Sequence, residues 1–420
     1  MNAPSKPRAR SAERRSLTNV GGPTDLGGDA EIANVLAHAL DVAAPADTED
    51  ADDAEPTDHV AKIHAFHAYP ARMHPLTARR LVEGLSIAGD YVVDPFAGSG
   101  TVIVEAALAG RNAWGTDLNP LAVRLARRKA VAAKPAYLDA LAQAAETVAA
   151  SARERRLARA GASRRFEQVD VDLFAPHVLL ALDGLRVGID AIEHKGVARD
   201  LELVLSAILV KLSRRASDTS DKAQEKRIAS DFPERLFVRK AEELSRALAE
   251  IAPRLLDAPP ARLDEDDATV LKKIPENSCD LIVTSPPYPG VYDYLAHHEA
   301  RLRWLRLKAD RFAAREIGAS RAARESSVDE AIARWEDELV RVLRSMERVL
   351  VRGGRAALLI ADSAIERTPI RADALVARAG RAAGLRPTAR ASQPRAHFHA
   401  PTRAAFAEHE RREHALVLTK

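Results

Sequence analysis

A glycine-rich turn after a short apolar run constrains the fold of this chain more than any other segment. Residues 91–93 (Tyr-Val-Val) are typical of a buried strand, and residues 94–101 (Asp-Pro-Phe-Ala-Gly-Ser-Gly-Thr) lead from it into an amphipathic helix. Gly98 and Gly100 let the backbone approach a nucleotide-like ligand where a side chain would collide with it. The spacing differs from the dinucleotide pattern Gly-x-Gly-x-x-Gly, and no Gly-Lys-Ser/Thr follows, so the turn does not predict a phosphate cradle.

A second strand follows the helix over residues 112–116 and ends beside Asp117. The strand, helix and strand together form a βαβ unit, which implies a parallel sheet with a right-handed crossover. A carboxylate at this strand end can accept hydrogen bonds from two ribose hydroxyls. Each feature taken alone also fits a tight βα connection, with Asn119-Pro120 as an ordinary helix entry. Together they favour a site for adenosine without a pyrophosphate.

A second motif lies at the end of another apolar run. Residues 280–284 (Asp-Leu-Ile-Val-Thr) predict a parallel strand, and Ser285-Pro286-Pro287-Tyr288 follows it. Open α/β sheets bind their ligands at the carboxyl ends of parallel strands. The alternative is a proline-rich loop in which Tyr288 packs on the core. The position after a buried strand favours a functional loop.

The two motifs together resemble the amino-methylating (N4-cytosine or N6-adenine) DNA methyltransferases that use S-adenosylmethionine. The glycine-loop pattern of that family, Asp-Pro-Phe-x-Gly-Ser-Gly-Thr, is matched from residue 94 to residue 101. The resemblance implies that the glycine loop faces the methionine part of S-adenosylmethionine and that Asp117 holds its ribose. Its implied cofactor-binding residues are Tyr69, Arg72, Asp94, Phe96, Gly98, Gly100, Thr101, Asp117 and Asp267.

Residues 67–72 resemble the cofactor-closing motif of the same family, His-x-Tyr-Pro-Ala-Arg. The resemblance implies that Arg72 pairs with the methionine carboxylate. A zinc site from His64, His67 and His74 is disfavoured against a polar loop, because no partner spacing follows, and we expect no metal. Asp267 falls where the family places the residue that contacts the adenine amine.

Methyl transfer to a nucleobase amine requires the site to aim a lone pair that is delocalised into the ring. Hydrogen-bond acceptors can do this by positioning and electrostatics. Ser285 supplies a hydroxyl and Pro286 a carbonyl, both prolines fix the backbone, and Tyr288 offers a face for an extruded base. In the resembling family, Ser at the first motif position favours cytosine N4 and Asp favours adenine N6. Tyr292 and Tyr294 are further candidates for the base pocket.

We therefore expect an α/β fold of the Rossmann-like class I methyltransferase type, with a mostly parallel central sheet flanked by helices and a large helical insertion. The predicted parts are a disordered tail over residues 1–58, with one helix near 31–42, and a cofactor-binding part over 59–135. A helical insertion over 136–260, a candidate for target recognition, and a catalytic part over 261–420 follow. Further strands are expected at 356–361 and 415–419.

The overall charge does not by itself indicate a nucleic-acid partner, since 63 Lys and Arg residues nearly balance 60 Asp and Glu residues. We expect a nucleic-acid partner, DNA rather than RNA, with phosphate contacts from Arg301, Arg303, Arg311 and Arg315. A link to a restriction system stays open. The alternatives are the same chemistry on RNA, adenine N6 as the target, and a non-catalytic DNA-binding protein. A Rossmann oxidoreductase is disfavoured because the dinucleotide fingerprint is missing.

Cysteine content and hydropathy bound the location of the protein. Cys279 stands alone, which excludes an internal disulfide, and it is expected to be a small core residue. No apolar stretch approaches the length of a membrane span, and no signal core is present at the N-terminus. We therefore expect a soluble cytoplasmic protein with no membrane partner.

Overall fold

The computed structural model describes residues 23–42, 59–215, 224–289, 293–318, 327–395 and 400–420. The strands are β1 (Asp25–Gly28), β2 (Tyr91–Asp94), β3 (Asn112–Asp117), β4 (Arg262–Glu265), β5 (Cys279–Thr284), β6 (Leu350–Ala361), β7 (Ser363–Ile365), β8 (Thr368–Ile370), β9 (Arg386–Pro394) and β10 (Arg412–Thr419). The helices up to β4 are α1 (Ala30–Leu40), α2 (His59–Ala65), α3 (Pro75–Leu85), α4 (Thr101–Leu108), α5 (Pro120–Ala130), α6 (Pro135–Leu157), α7 (Gln168–Leu173), α8 (Pro176–Asp190), α9 (Lys195–Leu212) and α10 (Phe232–Leu256). After β5 follow α11 (Tyr294–Trp304), α12 (Asp310–Arg315), α13 (Val328–Val349), α14 (Ala372–Ala382) and α15 (Ala400–Ala405).

Eight of the strands form one sheet in the order β1-β9-β10-β6-β5-β2-β3-β4, and β7 pairs with β8 as a separate hairpin. Strands β4, β3, β2, β5 and β6 are mutually parallel. β10 runs antiparallel to both β6 and β9, so β9 points the same way as the parallel set. The expected Rossmann-like fold with a mostly parallel central sheet is confirmed.

Helices cover both faces of the sheet because successive side chains of a strand point to opposite faces. Val92 and Leu281 pack into a core shared with α3 to α6 and α8 to α11. Val93 and Ile282 pack into a second core shared with α13 and α14. This burial on both faces explains why β2 and β5 are apolar runs that the sequence alone revealed.

The predicted helical insertion is helical in the structure, with α6 to α10 following each other between residues 135 and 256. Helix α10 contacts α2 and α4 as well as α6 and α9, and α9 contacts α11. The insertion therefore shares one core with the helices that flank the sheet. No helix in the described ranges is both long and apolar enough to cross a membrane.

The expectation of a disordered tail over residues 1–58 with one helix is wrong for residues 25–28, which form a strand. β1 pairs with β9 at the edge of the sheet, and α1, the one helix expected in this region, buries Leu36 and Leu40. Asp25-Leu26-Gly27-Gly28 has no strand propensity of its own, so only the unpaired edge of β9 orders it. Residues 1–22 and 43–58 lie outside the described ranges.

Candidate active site

A cleft of about 890 Å³, solvent at its mouth included, opens at the carboxyl ends of β2, β3, β4 and β5. Ten of the thirteen residues assigned from the sequence to cofactor binding or to the Ser-Pro-Pro-Tyr motif line it: Tyr69, Arg72, Asp94, Phe96, Gly98, Thr101, Asp117, Asp267, Ser285 and Pro287. Gly100, Pro286 and Tyr288 are not among its lining residues.

The glycine loop joins β2 to α4. Gly98 and Gly100 both adopt positive φ, at 49° and 85°, a backbone region that favours glycine. A Cβ on Gly100 would lie 2.7 Å from the Cα of Ala126, so this glycine allows α5 to pack closely. Gly98 meets the cleft itself, and its backbone N–H donates to Asp117 Oδ2 at 2.8 Å.

Two buried carboxyl groups stand at neighbouring strand ends. Asp94 Oδ1 accepts from the Thr284 hydroxyl at 2.7 Å and from the Phe96 N–H at 3.1 Å. Burial raises the pKa of Asp94 to about 7 and the pKa of Asp117 to about 6. Both acids thus titrate near neutral pH, and a cation in the cleft would favour their charged forms.

The closing segment forms one wall of the cleft. Tyr69 and Arg72 line it, and the Arg72 guanidinium donates to the carbonyl of His64. Burial lowers the pKa of Arg72, which makes this cation responsive to a carboxylate ligand.

The three nearby histidines have separate partners. His64 Nε2 lies 2.9 Å from Glu105, His67 Nε2 lies 2.9 Å from the Ser206 hydroxyl, and His74 caps the start of α3. They do not converge on one point. In the described part of the chain, the group with metal-type spacing is Asp362, Asp373 and His414.

That group is already paired with protein atoms. Arg371 Nη1 donates to Asp362 at 3.1 Å and Arg390 Nη1 to Asp373 at 2.9 Å. His414 is bonded on one side to Asp362 and on the other to the Ser392 hydroxyl. Hydrogen bonds and ion pairs account for this cluster without a metal.

The Ser-Pro-Pro-Tyr loop begins at the end of β5, where Ser285 enters the cleft. The Pro287 carbonyl accepts from Trp335 Nε1 of α13 at 3.2 Å, which anchors the loop backbone. Tyr288 is only 8% exposed and packs in the core beside Trp335, and its hydroxyl lies 3.5 Å from Ser285 Oγ. Of the two further tyrosines, Tyr294 lines the cleft and Tyr292 lies outside the described residues.

Asp267 lines the cleft, but its carboxylate is occupied by other protein groups. Oδ1 accepts from the N–H and hydroxyl of Thr269, and Oδ2 pairs with Arg315 Nη1 at 2.7 Å. Burial alone would raise the pKa of Asp267, but these hydrogen bonds outweigh it and hold the pKa below its usual value. Contact with an adenine amine would require Arg315 to move.

Four residues of the segment after α11 line the cleft, and three of them were not expected from the sequence, whereas Arg315 was expected only as a phosphate contact. Phe312 and Arg315 belong to α12, and Glu316 and Ile317 follow it. This stretch has no periodic pattern and is rich in charge, so it gave no signal of a pocket wall. Phe312 is the aromatic ring that α12 adds to the cleft.

The expectation of phosphate contacts from four arginines is wrong for the two that lie on α11. Arg301 is 1% exposed, and its Nε donates to the Ser206 carbonyl. Arg303 forms an ion pair with Asp170 at 2.7 Å. Both side chains point into the helical layer because α11 packs against the insertion. Arg311 and Arg315 are exposed and lie near acids of the cleft rim.

The residues present fit S-adenosylmethionine. Arg72 can meet a carboxylate, Asp94 a cationic methionine end, and Asp117 a pair of hydroxyls, although two backbone N–H groups already occupy its oxygens. The loop has no lysine for a phosphate chain. The donor set therefore suits a nucleoside with a zwitterionic tail.

Residues 41–128 match the family described as DNA methylase. The chain is 25% identical over 278 residues to the type II methyltransferase M.MvaI of Kocuria varians, covering 59% of this chain and 58% of that enzyme. It is 48% identical over 52 residues to the type II methyltransferase M.MthZI of Methanothermobacter thermautotrophicus, covering 12% of this chain and 14% of that one. The chain thus spans less than two thirds of the curated relatives that it matches.

Two solved structures from Thermus thermophilus are also similar. The chain is 24% identical to the putative DNA modification methylase TTHA0409, covering 37% of this chain and 50% of that one, with a TM-score of 0.22. It is 16% identical to TrmN, covering 86% of this chain and 52% of that one, with a TM-score of 0.31. TM-scores this low mean loose superpositions. The description of the site therefore relies on the strand order and the contacts within this chain.

Proposed function

Because residues 41–128 belong to the DNA methylase family, we propose that the protein transfers a methyl group from S-adenosylmethionine to an exocyclic amino group of a DNA base. One observation carries the proposal. Thr284, the residue before Ser285, donates a hydrogen bond to Asp94 of the glycine loop. The proposed acceptor loop and the donor loop are thereby joined at one cleft.

The donor half of the cleft would hold S-adenosylmethionine through Arg72, Asp94 and Asp117. The bound cofactor supplies an electrophilic methyl group on a sulfonium. Tyr69 and the glycine loop, which line the cleft, would contact the methionine end of the cofactor. Phe312 of α12 supplies an apolar surface to the wall of the cleft.

The acceptor half would orient the amine. Ser285 Oγ and the Pro286 carbonyl accept hydrogen bonds from the amino protons, which turns the nitrogen lone pair toward the donor. The same acceptors stabilise the positive charge that develops on that nitrogen. Trp335 keeps the loop rigid through the Pro287 carbonyl, so little reorganisation accompanies the reaction. Tyr288 is a stacking platform only if its ring leaves the core.

We further propose cytosine N4 as the acceptor, because Ser stands at position 285. The two alternatives are methylation of adenine N6 in DNA and the same chemistry on RNA. The partition into 59–135, 136–260 and 261–420 is likewise our proposal. Since the insertion shares its core with the helices that flank the sheet, a recognition role for it would fall on its outer surface.

The test is methyl transfer from radiolabelled S-adenosylmethionine to duplex DNA, total RNA and protein in separate reactions. Mass spectrometry of the nucleosides should identify N4-methylcytosine in the DNA sample. Ser285→Ala should lower turnover and leave cofactor affinity within about twofold, whereas Asp117→Ala should weaken cofactor binding. Label found only in protein would refute the nucleobase proposal.

A further inference from the structure

A buried histidine on α11 packs against Tyr69, one of the residues that line the cofactor cleft. His298 is 0% exposed, and neither of its ring nitrogens has a hydrogen-bond partner among the described residues. Its ring stacks on Tyr69, with ring centroids 4.7 Å apart and planes tilted by 27°. Buried polar atoms without partners are uncommon in proteins, so this placement calls for an explanation.

Tyr69 in turn contacts the glycine loop. A Cβ on Gly98 would lie 3.3 Å from Tyr69 Cε1, so the phenol ring fits against the bare backbone of that turn. The Tyr69 hydroxyl accepts from Asn119 Nδ2 at 3.3 Å, and the Asn119 N–H donates to Asp117, the acid proposed to hold the ribose. Tyr69 thus contacts α11 on one side, and the glycine loop and Asn119 on the other.

A second contact fixes the same two segments relative to each other. His67 Nδ1 lies 2.9 Å from the Ala68 carbonyl, which can only accept, so Nδ1 carries the proton. His67 Nε2 therefore accepts from the Ser206 hydroxyl. The Ser206 carbonyl accepts from Arg301, one helical turn after His298. Ser206 of α9 thus joins the closing segment to α11.

The charge state of His298 suits a packing role. Burial, with Arg301 and His297 nearby, holds the pKa of His298 well below its ordinary value. His67 is neutral for the same principal reason, since burial lowers its pKa. Neither ring needs to transfer a proton. Both rings act by packing and hydrogen bonding in one neutral form.

We propose that His298 is a positioning residue, which holds Tyr69 against the glycine loop and thereby ties the cofactor cleft to the helix that follows the Ser-Pro-Pro-Tyr loop. The inference rests on the cleft binding S-adenosylmethionine and does not depend on which base is methylated. Two contacts then fix the cofactor wall relative to the acceptor loop: the stacking of His298 on Tyr69 and the hydrogen bond from Thr284 to Asp94.

The test compares His298→Leu, which removes the ring, with His298→Phe, which keeps a ring able to stack. Affinity for S-adenosylmethionine is measured by calorimetry on the full chain, at a temperature where circular dichroism shows each variant folded. We expect the leucine variant to bind about 2- to 12-fold more weakly, the factor that the geometry of one aromatic pair contributes. The phenylalanine variant should stay within about twofold of the unchanged protein. Glu299→Gln, an exposed neighbour on the same helix, is the matched control.

A double-mutant cycle separates positioning from general loss of packing. In a Tyr69→Leu background, His298→Leu should have no further effect on cofactor affinity, because the contact through which it acts is already gone. If leucine proves too unstable, His298→Asn takes its place in the cycle. Unchanged affinity in the single variant, or equal losses in both backgrounds, would overturn the proposal. Since the readout is cofactor binding, a wrong base assignment would leave this result unaffected.

Discussion

Replacing Thr284 by valine should shift the pH at which the protein binds its cofactor. The Thr284 hydroxyl donates to Asp94 Oδ1 at 2.7 Å, and burial already raises the pKa of Asp94 to about 7. A hydrogen bond to a charged group contributes about 1.5–3 kcal/mol, and one pKa unit corresponds to about 1.4 kcal/mol. Removing the hydroxyl while keeping the side-chain shape should therefore raise the pKa of Asp94 by about 1–2 units.

A cationic ligand binds best when Asp94 is ionised, so affinity should rise with pH and level off above the pKa of Asp94. At pH 7 about half of the unchanged protein carries the carboxylate. In Thr284→Val the ionised fraction would fall to about 1–10%, which weakens binding roughly 5- to 50-fold at that pH. Above about pH 10, one unit beyond the highest pKa expected for the variant, the two proteins should converge.

The assay is calorimetric titration with S-adenosylmethionine from pH 6 to pH 9. Thr284→Ser, which retains the hydroxyl, is the matched control and should follow the unchanged protein. Asp117, whose pKa is raised by burial to about 6, faces the same loop and contributes a rise at lower pH in all three proteins. A pH profile of Thr284→Val that coincides with that of Thr284→Ser would refute the reasoning.

Three further perturbations have defined outcomes. Because burial raises the pKa of Asp94 from 3.8 to about 7, the folded state binds more protons than the unfolded state between these values, so stability should fall as pH rises from about 4 to 7. Asp94→Asn should reduce that slope in urea unfolding followed by circular dichroism, and an unchanged slope would contradict the assignment. Gly100→Ala should lower the free energy of unfolding by about 2–4 kcal/mol, since φ is 85° and the new Cβ would lie 2.7 Å from Ala126; a stability loss under about 1 kcal/mol would argue against this close packing. Arg315→Ala should change stability by under about 1 kcal/mol, because the side chain is largely exposed, and should raise cofactor affinity by freeing Asp267; a tenfold loss in calorimetry would show instead that Arg315 itself holds the ligand.

The sequence alone identified the strands and turns that carry the site. β2 and β5 are buried on both faces, so each must be a run of apolar residues, and such runs are visible without a structure. Gly98 and Ser285 follow them directly, and the ends of parallel strands lie on one edge of a sheet. Pro120 marked a helix start because proline fits the first turn, where its missing N–H costs nothing.

The edges of the sheet were beyond sequence analysis. β9 (Arg386–Pro394) and β1 are polar and short of β-branched residues, and they are strands only because a neighbouring strand supplies hydrogen-bond partners. The wall formed by Phe312 depended likewise on how a charged, aperiodic segment folds back over the cleft. The local sequence pattern does not indicate that this segment folds back over the cleft.

What the sequence by itself determined is therefore the parts: a glycine turn, an acid after the next strand, and a serine-proline loop after a third. The tertiary structure decided how they are joined. Thr284 donates to Asp94, 190 residues away in the chain, and His298 stacks on Tyr69 from a helix that follows the insertion in the sequence. Contacts between such distant residues follow from strand order and helix packing, which the whole chain determines together and no local pattern encodes.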